Sequence, residues 1–552
     1  MSPDEPQQPE QSGIGYFANL FFHHGAATVV ALAAHVALTL AVYREAFLRI
    51  EGKAFALLGD DAFISMVYGR ALAHQGQLVW SDGQRIEGFS NLLWTLIMAA
   101  THVLPLPERL AALPILALNV FLVALSALLA AAFAAKIVAE IGHPVAVRAV
   151  AAVAAAGCVL LNFSYVQYAA AGSEGPLAAV FLLLGWDAWT RTRTCTDGAR
   201  TFTDGARKCA VFLVLASLTR AEIGFFLCGL LALAALRAEW RSRAVRVLPI
   251  AVVALAALGV WRWTYFGDWL PNTYYLKVSG FPHRWINGLR CASEFMIGGG
   301  GVVLLVFALT TWRGSPSARI AVFCTIFFVM YVAYLGGDAF ELHRLYAPIF
   351  PLLAAAAAGG VAHAAARLDI KPRTGVAFGL LLLVVTTNAD SAAAVEALAN
   401  RRLHRLPNPP AERLRQNIIL AKWLNENTPR DARIAVFMAG AMAYFCERPV
   451  VDMLGKCEAH IAHLPAGHGR IPGHNKYDFA YVVGTLRPDY IVGERVAPPV
   501  GSAPPQSDSP LERDFGFVNA LAYNTALQRD YKPLPAPYPY SDLRTVYVRG
   551  DR

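Results

Sequence analysis

Charge is scarce in this chain. Of 552 residues only 16% are Asp, Glu, Lys or Arg, whereas 56% are hydrophobic, and the mean hydropathy is +0.42. Soluble domains carry about 25% charge and about 45–50% apolar residues, so these values indicate a polytopic membrane protein. There is no glycine-rich phosphate loop and no dinucleotide fingerprint, so the chemistry is not built on a nucleotide pocket of either kind. The eight cysteines form no CxxC pair and no Cys/His set at metal-ligand spacing. The opening residues MSPDEPQQPEQSG contain no Lys or Arg. That removes the basic segment of a cleavable signal peptide and makes the first apolar run a retained helix. No duplicated halves with matching broken segments appear, as a transporter built on repeats would show. The net charge of +9 sits mostly in short Arg/Lys loops between apolar runs, where it reports topology and not nucleic-acid binding.

Apolar runs predict spans near 26–48, 110–138, 149–162, 176–189, 247–263, 299–311, 320–335, 346–365 and 376–387, plus two short pieces flanking Arg220 that form a hairpin. The total is about eleven spans. The Arg-rich loops at 191–208, 237–246, 313–319 and 367–373 then fall on one side, the cytoplasmic one by the positive-inside rule. The other side receives the 60–61 region, 172–176, 219–222, 265–300 and 336–344. The expected organisation is a cytoplasmic tail at 1–25 and a membrane domain at 26–390, with a first outer loop at about 49–109. From 391 to 552 Pro, charge and Asn rise and no further span appears. There 418–425 reads as helix and 433–437, 450–454, 479–483 and 490–492 as strands, a small extracytoplasmic α/β domain. Cys446 and Cys457, eleven positions apart, are either a disulfide of an oxidising compartment or two thiols.

Asp60 and Asp61 open the first outer loop, ahead of apolar residues Phe63, Ile64, Val67 and Tyr68 at amphipathic-helix spacing. Adjacent acids after a span are either simply solvated or functional. The functional reading gains from their company on the same side: Glu87, Glu174, Arg220, Glu222, Asp268, Lys277, Asp338, His343 and Arg344. Carboxylates mixed with Arg and Lys suit a phosphorylated donor, because Arg donates in a planar fork to phosphate while a carboxylate takes a hydroxyl proton or holds a divalent cation. Arg220 and Glu222 are equally readable as an ion pair closing the hairpin, the aromatic run 265–277 as an interfacial belt, and His343–Arg344 as residues snorkelling to the interface. Both acids are read as exposed, removable at a cost within about 0.5 kcal/mol. The residues alone end at a membrane enzyme or transporter with an outer cavity of mixed charge.

The motifs DDAFIS at 60–65, EGFSNLLW at 87–94, GSEGPL at 172–177 and LTRAE at 218–222 occur in this order, followed by YFGDWLPNTYYLK at 265–277, YLGGDAFELHRLYAPIFP at 334–351, RPVVDMLG at 448–455 and PGHNKYD at 472–478. As an ordered set they resemble the polytopic GT-C glycosyltransferases, and within that class the mycobacterial terminal arabinofuranosyltransferase family. The resemblance implies transfer of a sugar, arabinofuranose by preference, from a polyprenyl-phosphate donor to a cell-envelope glycan or protein acceptor. It places the enzyme in a bacterial inner membrane with the active site facing the periplasm. The essential acid maps onto Asp60 or Asp61, and Arg344 onto a donor-phosphate contact. Arg220 and Lys277 join it there, while Glu87 and Glu174 orient sugar hydroxyls. Relatives often read GGDHF where this chain has GGDAF at 336–340, and Thr-Arg-Pro-Glu where it has Thr-Arg-Ala-Glu at 219–222. A mannosyl- or aminoarabinosyl-type transferase and a lipid-linked sugar flippase are the alternatives. No cofactor is firmly implied, and a divalent cation is left open.

Overall fold

The computed structural model describes residues 25–81, 83–191, 199–280, 282–338, 340, 342–389, 391–392, 410–467, 472–494, 496–500, 502, 516–534 and 544–552. The expected tail at 1–25 lies outside this set but for its last residue, as does part of the first Arg-rich loop. The first half runs α1 (Gly25–Tyr43), the hairpin β1 (Phe47–Ile50) and β2 (Lys53–Ala56), α2 (Asp60–Gln75), α3 (Leu92–Thr101), α4 (Leu113–Glu140), α5 (Val145–Leu160), α6 (Phe163–Ala170), α7 (Gly175–Arg191), α8 (Ala199–Thr219) and α9 (Ala221–Ala235). Then come α10 (Ala238–Phe266), α11 (Asn272–Lys277), α12 (His283–Ile297), α13 (Gly301–Thr310), α14 (Pro316–Leu335), α15 (Phe350–Arg367) and α16 (Pro372–Thr387).

The span count differs from expectation. Among the described residues three helices are long and apolar enough to cross a bilayer, within Glu108–Glu140, Trp240–Phe266 and Pro316–Leu335; two bent pairs, α5–α6 at 49° and α12–α13 at 64°, bring the number to five. Apolar runs alone overcounted, because some of them are shorter helices, such as α7 and α16. The bend in the second pair has a local cause: Gly300 sits at φ +71°, a left-handed turn between the two pieces. Outward-facing Val252, Val253 and Val260 on α10 and Phe378, Leu381 and Val385 on α16 are exposed, as a lipid-facing surface requires.

The loops sort to two ends as the charge pattern demanded. At the C-terminal end of α4, Glu140 accepts from Ser317 Oγ at 2.8 Å, Lys136 pairs with Asp187 at 2.9 Å, and His143 meets His363 at 2.7 Å. This is the end of the Arg-rich turns. The opposite end, about 40 Å away along α4, holds Gly172–Gly175, Arg220 and Asp338–Arg344. The hairpin about Arg220 is present: α8 ends at Thr219, α9 starts at Ala221, and the Ala221 N–H donates to Ser90 O at 3.0 Å.

The C-terminal region contains α17 (Pro410–Asn427), β3 (Ile434–Val436), α18 (Ala441–Phe445), β4 (Val450–Asp452), α19 (Ala459–His463), β5 (Tyr490–Gly493), α20 (Gly516–Ala522), α21 (Thr525–Asp530), β6 (Tyr531–Pro533) and β7 (Thr545–Arg549). Its sheet has the order β4-β3-β5-β7-β6, parallel across β4-β3-β5 and antiparallel across β5-β7-β6. The strand expected at 479–483 is helical instead, because Asp478 Oδ1 accepts the Tyr481 N–H at 2.8 Å and starts a turn. A short apolar run without period does not distinguish the two. Cys446 and Cys457 are both free and buried, so the disulfide alternative is removed.

The two parts share one core through α2. Phe63 lies 5.1 Å from the Tyr444 ring and 5.4 Å from Phe445, while Gly69 approaches the α3 backbone at Ala99. All of Phe63, Ile64, Ser65, Met66, Val67, Tyr68 and Gly69 are buried. The expected amphipathic helix is therefore enclosed on both sides. Its start is pinned from the other part: a Cβ on Gly440 would lie 1.8 Å from the Asp60 carbonyl oxygen. Gly440→Ala is expected to lower stability by about 1–3 kcal/mol or more, since backbone cannot yield as a side chain does. Thermal unfolding of the purified protein beside the parent checks this, and an unchanged midpoint would contradict the close approach.

Candidate active site at the seam of the two parts

Gly59 is extended at ψ 154° and donates to Ala171 O at 2.8 Å, so the chain turns into α2 with Asp60 and Asp61 in its first turn, where the helix dipole favours acids. The two acids then part company. Asp60 accepts the backbone N–H groups of Ala441 at 2.9 Å and Gly440 at 3.3 Å. Asp61 accepts from Lys456 Nζ at 3.1 Å on one oxygen and from Arg344 Nη1 at 2.8 Å on the other. Arg344 turns its Nε and Nη2 to the two oxygens of Asp338, each at 2.9 Å, and its guanidinium lies 4.2 Å over the Phe340 ring. The Asp61 side chain is 34% exposed and Asp338 only 4%. Asp61 is thus the more accessible carboxylate of the two, and Asp338 the one that aims Arg344.

Electrostatics separate the pair further. Burial raises Asp60, with Lys456 and the Ala441 N–H pulling the other way. Burial also acts to raise Asp61, but Lys456 and Arg344 outweigh it and hold that carboxyl well below the usual range. Lys277 is lowered by burial, partly offset by Asp338. Among the described residues it makes no side-chain hydrogen bond or ion pair, and its stem lies along Gly473, with Cε 3.7 Å from where a Cβ would stand. Burial and the charge of Lys456 push the neighbouring His474 down to about 3, so the imidazole is neutral. Lys277, Lys456 and Arg344 therefore gather beside Asp61 and Asp338, with Asp60 and Asp452 also acting on Lys456, a mixed-charge centre whose basic groups suit a phosphate.

Two further ion clusters flank this centre. Arg220 bonds Glu222 at 2.5 Å and Glu174 at 3.0 Å, and Asn91 joins Glu174 at 3.3 Å. Arg220 is thus the hairpin ion pair, extended by one acid. Glu87 is buried against Arg262, with Nε at 2.8 and 3.1 Å from its two oxygens. Both Glu87 oxygens thus face the Arg262 guanidinium. His343, at φ +58°, packs its ring against Phe295 at 5.7 Å and against Gly299. The reading of both acids as exposed fails, since each is partly buried and bonded across the seam.

Sequence reasoning missed Lys456, which follows RPVVDMLG directly, and Arg262, the charge inside the 247–263 run. A cation within an apolar run was the available signal for Arg262. Lys456 had none, because its loop is set by distant contacts: Asp452 accepts the Leu454 and Cys457 N–H groups at 2.9 and 2.7 Å, and Asn272 Nδ2 donates to Gly455 O and Lys456 O at 2.9 and 3.0 Å. A divalent cation does not fit: both Asp61 oxygens and both Asp338 oxygens are taken by cationic side chains, and no group of three ligating residues occurs among the described residues.

Among solved structures the fold is similar to that of ArnT, and nothing singles out the arabinofuranosyltransferase family. The apo structure of ArnT from Cupriavidus metallidurans superposes over 95% of this chain and 98% of its own, at 15% identity and a TM-score of 0.54. ArnT bound to undecaprenyl phosphate covers 94% and 97%, also at 15% identity, with a TM-score of 0.52. The archaeal oligosaccharyltransferase AglB from Archaeoglobus fulgidus covers 86% of this chain and 69% of its own at 13% identity and a TM-score of 0.47. A domain of unknown function (DUF8728) matches residues 410–545. No curated protein matches the sequence.

Burial raises the Glu87 carboxyl from 4.5 to about 7, against the pull of Arg262. A carboxyl raised in the folded state binds its proton more tightly there. Its contribution to stability is fully present below about pH 4.5 and is lost as pH rises through about 7. The melting temperature is expected to fall from pH 5 to pH 7.5, and Glu87→Gln to flatten part of that fall. Equal slopes in both proteins would show that Glu87 does not titrate there.

Proposed function

We propose that this chain is a membrane glycosyltransferase that moves a sugar, arabinofuranose by preference, from a polyprenyl-phosphate donor to an extracytoplasmic glycan or protein acceptor. The observation that carries the reading is the meeting of Arg344, Lys456 and the unpaired Lys277 around the reachable carboxylate Asp61. The structure of ArnT with undecaprenyl phosphate supports a lipid phosphate as the occupant of this fold. In the proposed orientation the Arg-rich end lies in the cytoplasm of a bacterial inner membrane and Asp61 faces the periplasm.

The donor phosphate sits against the three cations and draws Arg344 and Lys456 away from Asp61. That relieves the pull that holds Asp61 so acidic, so it becomes a better proton acceptor as substrate binds. The acceptor hydroxyl oxygen bonds to the anomeric carbon as the bond from that carbon to the phosphate oxygen breaks. The hydroxyl proton passes to Asp61, and the polyprenyl phosphate leaves with the electron pair, its added charge met by the cations. Glu174 and Arg220 stand behind this centre as its wall.

The test is transfer by purified protein from synthetic polyprenyl-phosphoryl-arabinofuranose and its mannose analogue, with and without EDTA. Asp61→Asn is expected to lower turnover by about 10²–10⁴-fold while the protein stays folded. Asp60→Asn is expected to cost about 1 kcal/mol of stability through its bonds to Gly440 and Ala441, with transfer retained, and EDTA to change nothing. Full turnover by Asp61→Asn would remove the proposed role. Translocation of the intact lipid without transfer would replace it with the flippase reading.

A further inference from the structure

Three buried polar atoms in the two segments that border Lys277 have no hydrogen-bond partner among the described residues: Asn272 Oδ1, Ser279 Oγ and Asn475 Oδ1. An unmet buried acceptor or hydroxyl costs about 1–3 kcal/mol and asks for an explanation. They occupy two segments pressed together. A Cβ on Gly473 would touch Leu276 and Lys277 at 3.7–3.8 Å, a Cβ on Gly280 would lie 2.8 Å from Ala466, and Gly467 donates to Asn475 O at 2.9 Å. Pro472 also borders Gly336, two residues before Asp338. The amide of Asn272 is not free to flip, because its Nδ2 faces the carbonyls of Gly455 and Lys456. Its oxygen is thereby turned away from the Lys456 loop.

We infer that Asn272, Ser279 and Asn475 form the subsite for the sugar of the donor, its hydroxyls donating to two amide oxygens and exchanging a bond with one serine hydroxyl. A neutral polyol supplies what these atoms lack, and Lys277, lying between Asn272 and Ser279 in sequence, supplies the adjoining phosphate contact. The phosphate is held by the cations, and the sugar is read by neutral groups beside it. The inference rests on the proposed donor class. Asn272 also steadies the Lys456 loop, so the other two residues make the cleaner test.

Binding of three lipids to the purified protein would be measured by calorimetry: undecaprenyl phosphate, and its arabinofuranosyl and mannosyl phosphodiesters. The parent is expected to hold one sugar lipid more tightly than the bare lipid. Ser279→Ala with Asn475→Ala is expected to weaken that sugar lipid by about tenfold, to leave undecaprenyl phosphate unchanged, and to leave the ligand-free melting temperature equal or higher. Lys277→Met is expected to weaken all three. Equal loss for bare and sugar lipids in the double variant, no gain from either sugar in the parent, or a lowered ligand-free melting temperature would each overturn the subsite. Failure of the parent to bind undecaprenyl phosphate at all would instead remove the donor reading on which it rests.

Discussion

Ions held at a partly buried seam are costly without partners, because the desolvation cost is several kcal/mol per ion. The Asp338–Arg344–Asp61–Lys456 chain meets that demand with residues from three places: the turn after α14, the first turn of α2, and the loop after β4. Neither part completes it alone. The position of the C-terminal region on the bundle is therefore a condition for the site, and the buried face of α2 with Phe63, Tyr444 and Phe445 is what fixes that position.

From this constraint the two acids acquire different work. Asp60 is spent on backbone N–H groups of the other part, while Asp61 is left on the open side between two cations. Their sequence neighbourhood is nearly the same, so the division comes from which direction each points out of the first turn of a helix. Glu87 and Glu174 likewise have basic partners, Arg262 and Arg220.

How much of this was legible depended on the range of the interaction. Loop charges sorted correctly into two ends because that signal is local, and the Arg220 hairpin followed from two short apolar pieces. The span count ran high because a hydropathy run does not reveal whether its helix is long, short or bent at a residue such as Gly300. Asp61, Arg344, Asp338 and Lys277 were all foreseen as polar residues of one face. Their pairing with Lys456 was not, because contacts across nearly 400 positions leave no spacing to read. The 479–483 strand failed for a smaller reason, a capping aspartate one residue ahead of it.

The most direct test of the central claim is a structure of the protein in lipid nanodiscs with undecaprenyl phosphate. The phosphate is expected within hydrogen-bond distance of Lys277, Lys456 and Arg344, with the Arg344–Asp61 contact lengthened and the Asp338–Arg344 pair intact. A phosphate bound at the Arg-rich end near Glu140, or an unchanged Arg344–Asp61 bond with lipid present elsewhere on the bundle, would contradict it.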